Sequence, residues 1–150
     1  MKLKAQNEVS VTFPSLSVNE GMARTFAGVF VSQENPTIEE VADIQCAVSE
    51  AVTNCIVHGY KDSFGEIHMT MKLLPDRIFK VEIKDKGVGI ADVDAAMEPL
   101  FTTDAENERS GMGFSIMESF MDSVTVKSAP GKGCRVVMTK KLSPIRRMKG

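Results

Sequence analysis

Tryptophan is absent, tyrosine occurs once and histidine twice among the 150 residues. With His58 and His68 as the only histidines, a Cys/His metal site is not expected. The three cysteines, Cys46, Cys55 and Cys134, are odd in number, widely spaced and never in a C-x-x-C pair. That pattern excludes a disulfide framework and a structural zinc site, and reads as small apolar side chains in a reducing compartment. Charge of one sign is also missing: 18 Lys and Arg stand against 20 Asp and Glu, a net charge of −2. Without a cationic excess, nucleic acid is not the expected direct partner. No apolar run approaches the roughly 18 residues of a membrane span. Met1 to Glu8 has no apolar signal core, so the chain is expected to remain in the cytosol.

What is present is an ordinary globular composition, 43% hydrophobic and 25% charged, which excludes disordered and fibrous classes. Residues 1–150 are expected to form one domain, with a flexible tail over about 144–150. Ten methionines point to a core partly filled by flexible side chains. Val9, Val11 and Phe13 alternate with polar neighbours and predict a half-buried strand ending at Pro14. Ser17-Val18-Asn19-Glu20 has the pattern of a capping box and predicts a helix to about Ser32. Thr37-Ile38-Glu39-Glu40 has it again, opening a helix with an apolar stripe at Val41, Ile44, Val48, Val52 and Cys55 that stops at Gly59. Alternation over 67–73 and 79–83 around Pro75-Asp76 predicts a hairpin, and 124–128 with 135–139 around Pro130 to Gly133 a second. Between them lies a glycine-punctuated stretch, with a short helical piece near Val93 to Met97 and a helix over 114–121. Clustered strands with segregated helices indicate an α+β fold with a mostly antiparallel sheet.

Three features carry chemistry. Glu50, Asn54 and His58 recur every four residues and share one side of the second helix, roughly 120° from its apolar stripe. A carboxylate there suits proton abstraction from a hydroxyl or water, and an amide oxygen one turn on suits a hard cation such as Mg2+. A solvated polar face has the same appearance. Asp85 continues the inward phase of Phe79, Val81 and Ile83, and an acid carried inward must find a donor or bear a desolvation cost of several kcal/mol. An adenine amino group is such a donor, while Gly87 and Gly89 permit close backbone approach to a flat ligand; an Asp-x-Gly turn in solvent is the plainer alternative. Arg109-Ser110-Gly111-Met112-Gly113-Phe114 opens a helix with backbone N–H groups and a fixed positive charge, which suits a triphosphate as well as it suits a simple cap. Other phosphate signatures fail. Gly131-Lys132-Gly133 is followed by Cys134 rather than Ser or Thr, Asp92 stands where a dinucleotide fingerprint needs glycine, and H-R-D and D-F-G sets are absent.

Taken together, Glu50-x-x-x-Asn54-x-x-x-His58-Gly59, Asp85-x-Gly87-x-Gly89 and Gly111-x-Gly113 resemble the N box and glycine boxes of the GHKL ATP-binding fold. Gyrase, MutL, heat-shock chaperones and histidine kinases share that fold. Ser49 to Asn54, Pro99-Leu100-Phe101-Thr102-Thr103, Glu108 to Phe114 and Leu142-Ser143 resemble more narrowly its anti-sigma serine-kinase branch from sporulating bacteria, over about residues 8–143. The resemblance implies a single-layer sheet with helices packed on one face. It implies ATP or ADP with Mg2+ as cofactors, Glu50 as general base and Asn54 as Mg2+ ligand. Asp85 would bind the adenine amino group beside Gly87 and Gly89, Thr102 and Thr103 would belong to the nucleotide site, and Thr139 would lie near the adenine. Arg109, Ser110, Gly111, Met112, Gly113 and Phe114 would close on the phosphates. Arg24 matches a partner-docking position. Implied partners are a sporulation sigma factor, an anti-anti-sigma protein phosphorylated on serine, and a second copy of the chain, with Val9, Val11 and Phe13 as candidates for that interface. A pure sigma-binding module and a bare GHKL ATPase are the competing readings.

Overall fold

The structure, a computed structural model, describes residues 4–90, 93, 97 and 113–145. Most of the glycine-punctuated stretch, residues 91–92, 94–96 and 98–112 with Thr102, Thr103 and Arg109 to Met112, and the tail from 146 on lie outside the described residues. Strand β1 (Asn7–Pro14) is followed by helices α1 (Val18–Val31) and α2 (Ile38–Asn54), then by strands β2 (Glu66–Leu74) and β3 (Ile78–Asp85). Helix α3 (Gly113–Phe120) precedes the closing strands β4 (Ser123–Ser128) and β5 (Cys134–Lys141). Met97 N donates to Val93 O at 3.1 Å, an i to i−4 bond consistent with the expected short helical piece.

The five strands form one sheet in the order β1-β2-β3-β5-β4. Every neighbouring pair is antiparallel, so the sheet is more uniform than the pattern required. One face is apolar because the strand period is two: Met69, Met71, Val81, Ile83, Val136 and Met138 all point inward. Helices α1, α2 and α3 cover that face, closing a core with Ala27, Val31, Ile44, Val48, Val52 and Met117. The other face is polar and carries pairs such as Arg135 with Glu82, at 2.9 Å. Phe13 is buried in the core, 3% exposed, while Val9 and Val11 are half-buried against it on the edge strand β1.

The two capping signals have different outcomes. Thr37 makes a complete capping box: its hydroxyl accepts Glu40 N at 3.0 Å and Glu40 Oε1 accepts Thr37 N at 2.8 Å. Ser17 makes no side-chain cap, because its backbone is already helical (φ −58°, ψ −30°) and Glu20 is drawn elsewhere. Glu20 Oε1 accepts the Ser49 hydroxyl and sits 3.4 Å from Arg24 Nε, so it ties α1 to α2 instead.

Between β2 and β3, Asp76 and Arg77 both adopt positive φ, 65° and 61°. Strained backbone of this kind persists where surroundings hold it. Here the Arg77 guanidinium donates to the carbonyls of Glu34 (2.5 Å), Asn35 (3.4 Å) and Ser143 (2.9 Å). Its own carbonyl accepts Leu142 N at 2.9 Å. One side chain thus braces the α1–α2 connection against the segment after β5.

Candidate nucleotide site

Glu50 and Asn54 lie one turn apart near the end of α2, both half-buried. The first residue of α3 is brought against them. A methyl group on Gly113 would stand 3.2 Å from both terminal atoms of the Asn54 amide and 3.4 Å from Glu50 Oε2. The N-terminal end of α3, where helix geometry leaves the first N–H groups without intrahelical partners and the dipole end is positive, is therefore delivered beside a carboxylate and an amide.

After Asn54 the helix continues as a π-helical turn, Cys55–Gly59, closed by Tyr60 N donating to Cys55 O at 2.9 Å. Such turns are rare and concentrate at functional sites. This one aims Cys55 into the core and presents the carbonyl of Gly59 to Val88 N, at 2.8 Å. Gly87 passes so close that a Cβ there would fall 1.9 Å from Gly59 O, which only glycine avoids. Gly89 has φ +77° and Ala129 O directly beside its Cα, so the loop after β3 is locked against the β4–β5 turn.

Asp85 ends β3 in the inward phase and is 3% exposed, as the alternation predicts. Burial pushes its carboxyl above the usual aspartate range, while the Gly87 N–H, the Cys55 thiol and the Cys134 backbone partly offset that by donating to it. The Gly87 bond to Oδ1 is 2.8 Å. Tyr60 closes the site from behind: its hydroxyl donates to Glu66 O at 2.6 Å and accepts Lys86 N at 2.8 Å. A cavity of about 230 Å³ lies at this end of the sheet, lined by Asp85, Ser128, Lys132 and Cys134 among others.

Glu50, Asn54 and Gly113 thus converge, and Asp85, Gly87 and Gly89 form an adjoining group through Gly59. Phe114 is buried behind the start of α3. Arg24 stands on α1, half-exposed and 3.4 Å from Glu20, the residue that accepts the Ser49 hydroxyl next to Glu50. Thr139 is not brought to the site. Asp85 pairs across the sheet with Cys134, and five further steps along β5 carry Thr139 to the opposite, polar face. There it hydrogen-bonds Ser123 Oγ at 2.5 Å. Cys134 is the β5 residue beside Asp85; its place in the inward phase of Val136 and Met138 was the available signal. Cys55, part of the apolar stripe, is a polar partner of Asp85 as well as a core residue.

A buried carboxylate acceptor, glycines pressed to the backbone, a helix N-terminus and an amide oxygen are the donor and acceptor set that an adenine nucleotide with Mg2+ requires. Residues 13–140 match the family model described as histidine kinase-like ATPase domain. By class, the chain is a member of that ATPase family. It is 51% identical over 138 residues to an anti-sigma F factor of Caldanaerobacter subterraneus subsp. tengcongensis, covering 92% of this chain and 96% of that one. It is 52% identical over 134 residues to an anti-sigma F factor of Thermoanaerobacter sp. strain X514, covering 89% and 93%. Within the ATPase class, the chain belongs to the anti-sigma F factor family. The fold is shared with the crystal structure of the RsbU and RsbW domains of Rv1364c from Mycobacterium tuberculosis, with a TM-score of 0.69 and 18% identity, covering 97% of this chain and 35% of that one. Among the described residues, no helix is long and apolar enough to cross a membrane.

Proposed function

We propose that this chain is a cytoplasmic switch protein that captures a sporulation sigma factor and, using ATP and Mg2+, phosphorylates a serine of an anti-anti-sigma partner. The observation that carries the enzymatic half is the approach of Gly113 to Asn54 and Glu50. It sets a carboxylate, an amide and a helix N-terminus side by side. Bound ATP would supply the phosphoryl group. Glu50 would take the proton of the acceptor hydroxyl as it attacks, and Asn54 would hold Mg2+. Asp85 would accept the adenine amino group and fix the base. The N–H groups at the start of α3, joined by Arg109 to Met112, would neutralise charge on the transferring phosphoryl, with Thr102 and Thr103 nearby. Phosphoryl transfer of this kind needs positioning and charge neutralisation more than covalent participation.

Capture of the sigma factor would use the α1 surface around Arg24, with the protein acting as a dimer, and nucleotide state would choose between sigma factor and acceptor. The membership in the anti-sigma F factor family supports this reading. The test is a transfer assay in lysate of a sporulating source organism with γ-labelled ATP and Mg2+, comparing wild type with Glu50→Gln. One small protein labelled on serine by wild type alone is expected, with nucleotide-dependent sigma capture retained in the variant. Free phosphate without labelled protein would indicate a bare ATPase. No turnover with ATP-dependent sigma retention would leave a binding module.

A further inference from the structure

Positive charge is concentrated at one end of the sheet, on the face turned away from the helices. There the strand registers set Lys84 of β3, Arg135 of β5 and Lys127 of β4 in one row across three adjacent strands. Lys132, in the turn between β4 and β5, joins them, and all four line the cavity at this end. Neighbouring strands lie about 4.8 Å apart, so the row is roughly 10 Å long. Lys84, Lys127 and Lys132 are exposed. Among the described residues, only Arg135 of the four has a carboxylate partner, Glu82. That pairing is a fork, with Nε 2.9 Å from Oε1 and an Nη donating to Oε2 at 2.9 Å. It fixes the guanidinium plane and leaves further N–H donors of Arg135 for another acceptor. The turn carrying Lys132 is held too: Gly131 N donates to Val88 O at 2.7 Å, and Ser128 Oγ to Gly133 O at 2.6 Å.

We propose that this row docks an extended acidic segment of a protein partner, with carboxylates on alternate residues laid along Lys84, Arg135 and Lys127. Four cations against one local carboxylate leave an excess of positive charge that an anionic surface complements, although the whole chain carries −2. About three residues of extended chain cover 10 Å, which brings two same-side carboxylates over the row. A line of charge across three strands fits such a segment better than a compact anion, which needs donors converging on one point. The row is also short for nucleic acid. Glu82 borders it along β3, and His68, its neighbour on β2, stands 3.6 Å from Glu66. Duplex binding typically draws on about 6–10 phosphate contacts, more than this bounded patch offers. Because the helices cover the opposite face of the sheet, a segment docked here leaves α1 and the junction of α2 with α3 uncovered.

The experiment is fluorescence polarisation of a dye-labelled hexaglutamate peptide with the full chain, against hexaglutamine carrying the same dye. Wild type is expected to bind hexaglutamate alone, more weakly as salt rises from about 20 to about 200 mM. The double variant Lys84→Ala, Lys127→Ala is expected to weaken binding about tenfold. Lys72→Ala with Lys80→Ala removes the same charge from the same face outside the row, and is expected to leave binding unchanged. All four lysines are on the polar face, and thermal melts check that both doubles fold; should the first fail, Lys132→Ala replaces it. Equal losses in the two doubles would reduce the binding to non-specific charge and overturn the proposal. So would the absence of hexaglutamate binding by wild type. Inorganic pyrophosphate, a 20-base-pair DNA duplex and phosphatidylserine vesicles serve as competing probes. Displacement of hexaglutamate from the row by any of them at a lower concentration than unlabelled hexaglutamate would assign the patch to that ligand and overturn the acidic-peptide reading.

Discussion

Gly59 and Asp85 are in contact along the full width of the carboxylate: a methyl on Gly59 would meet Oδ2 at 2.9 Å, Cγ at 3.0 Å and Oδ1 at 3.1 Å. The neighbour that must give is a side chain, so Gly59→Ala is expected to fold while pushing the carboxylate out of place. ADP affinity is expected to fall by about tenfold, a loss of about 1.4 kcal/mol. By contrast, Gly87→Ala drives a Cβ into backbone, Gly59 O at 1.9 Å, and is expected to reduce the yield of folded protein. Titration calorimetry for the first and circular dichroism for the second separate the two outcomes.

Asp85→Asn is expected to trade stability against binding. Burial raises the folded-state pKa of Asp85, so its contribution to stability is full below its ordinary value of 3.8 and is lost as pH rises through the folded value. At neutral pH the ionised acid therefore weighs against the fold. Asparagine keeps an oxygen for the Gly87 N–H and removes the charge. The nucleotide-free variant is expected to melt at or above the wild-type temperature at pH 7, while ADP binding weakens by about 1–3 kcal/mol. A variant that melts lower and binds ADP normally would contradict both halves.

The two helix starts on α1 and α2 make a paired test. Thr37→Ala removes a bond to Glu40 N and half of a capping box, and is expected to cost about 1 kcal/mol in urea unfolding. Ser17→Ala removes no side-chain cap and is expected to stay within about 0.5 kcal/mol of wild type. Equal losses would mean that Ser17 caps α1 in solution.

Glu40 adds a pH dependence of opposite sign to that of Asp85. Burial raises its pKa, but the N–H groups and hydroxyls of Thr37 and Ser143 outweigh that and hold it below its ordinary value of 4.5. Its stabilisation is present above that value and lost as pH falls through the folded value. Glu40→Gln is therefore expected to flatten the acid side of the stability profile, read as melting temperature from pH 6 down to about 3.

Arg77→Ala removes three carbonyl partners at once and leaves a strained positive φ without its side-chain brace, with the Leu142 N–H bond to its carbonyl remaining. The expected cost is about 2 kcal/mol or more. Arg77→Lys is expected to recover little of it, because one ammonium lacks the guanidinium's planar fork. Arg77→Gly would relieve the backbone while losing the brace, so a milder loss than in Arg77→Ala would identify the share due to strain.

The sequence alone determined the elements and the inward side of each strand. Alternation over 67–73 and 79–83 sets which side chains are buried, and its continuation placed Asp85 inside before any contact was known. Helical spacing likewise put Glu50 and Asn54 on one side of α2. These are local periodicities, set by backbone geometry within a single element. Tertiary structure alone decided what crosses between elements. The pairing of Asp85 with Cys134 rather than Thr139 depends on the β3–β5 register, which a turn and a packed face fix together. The departure of Glu20 from its capping pattern depends on Ser49, 29 residues away. The partnership of Cys55 with Asp85 depends on a π-helical turn, whose extra residue no period in the sequence announces. Each of these is a contact between segments distant in the chain, where packing selects among options that local propensity leaves equal.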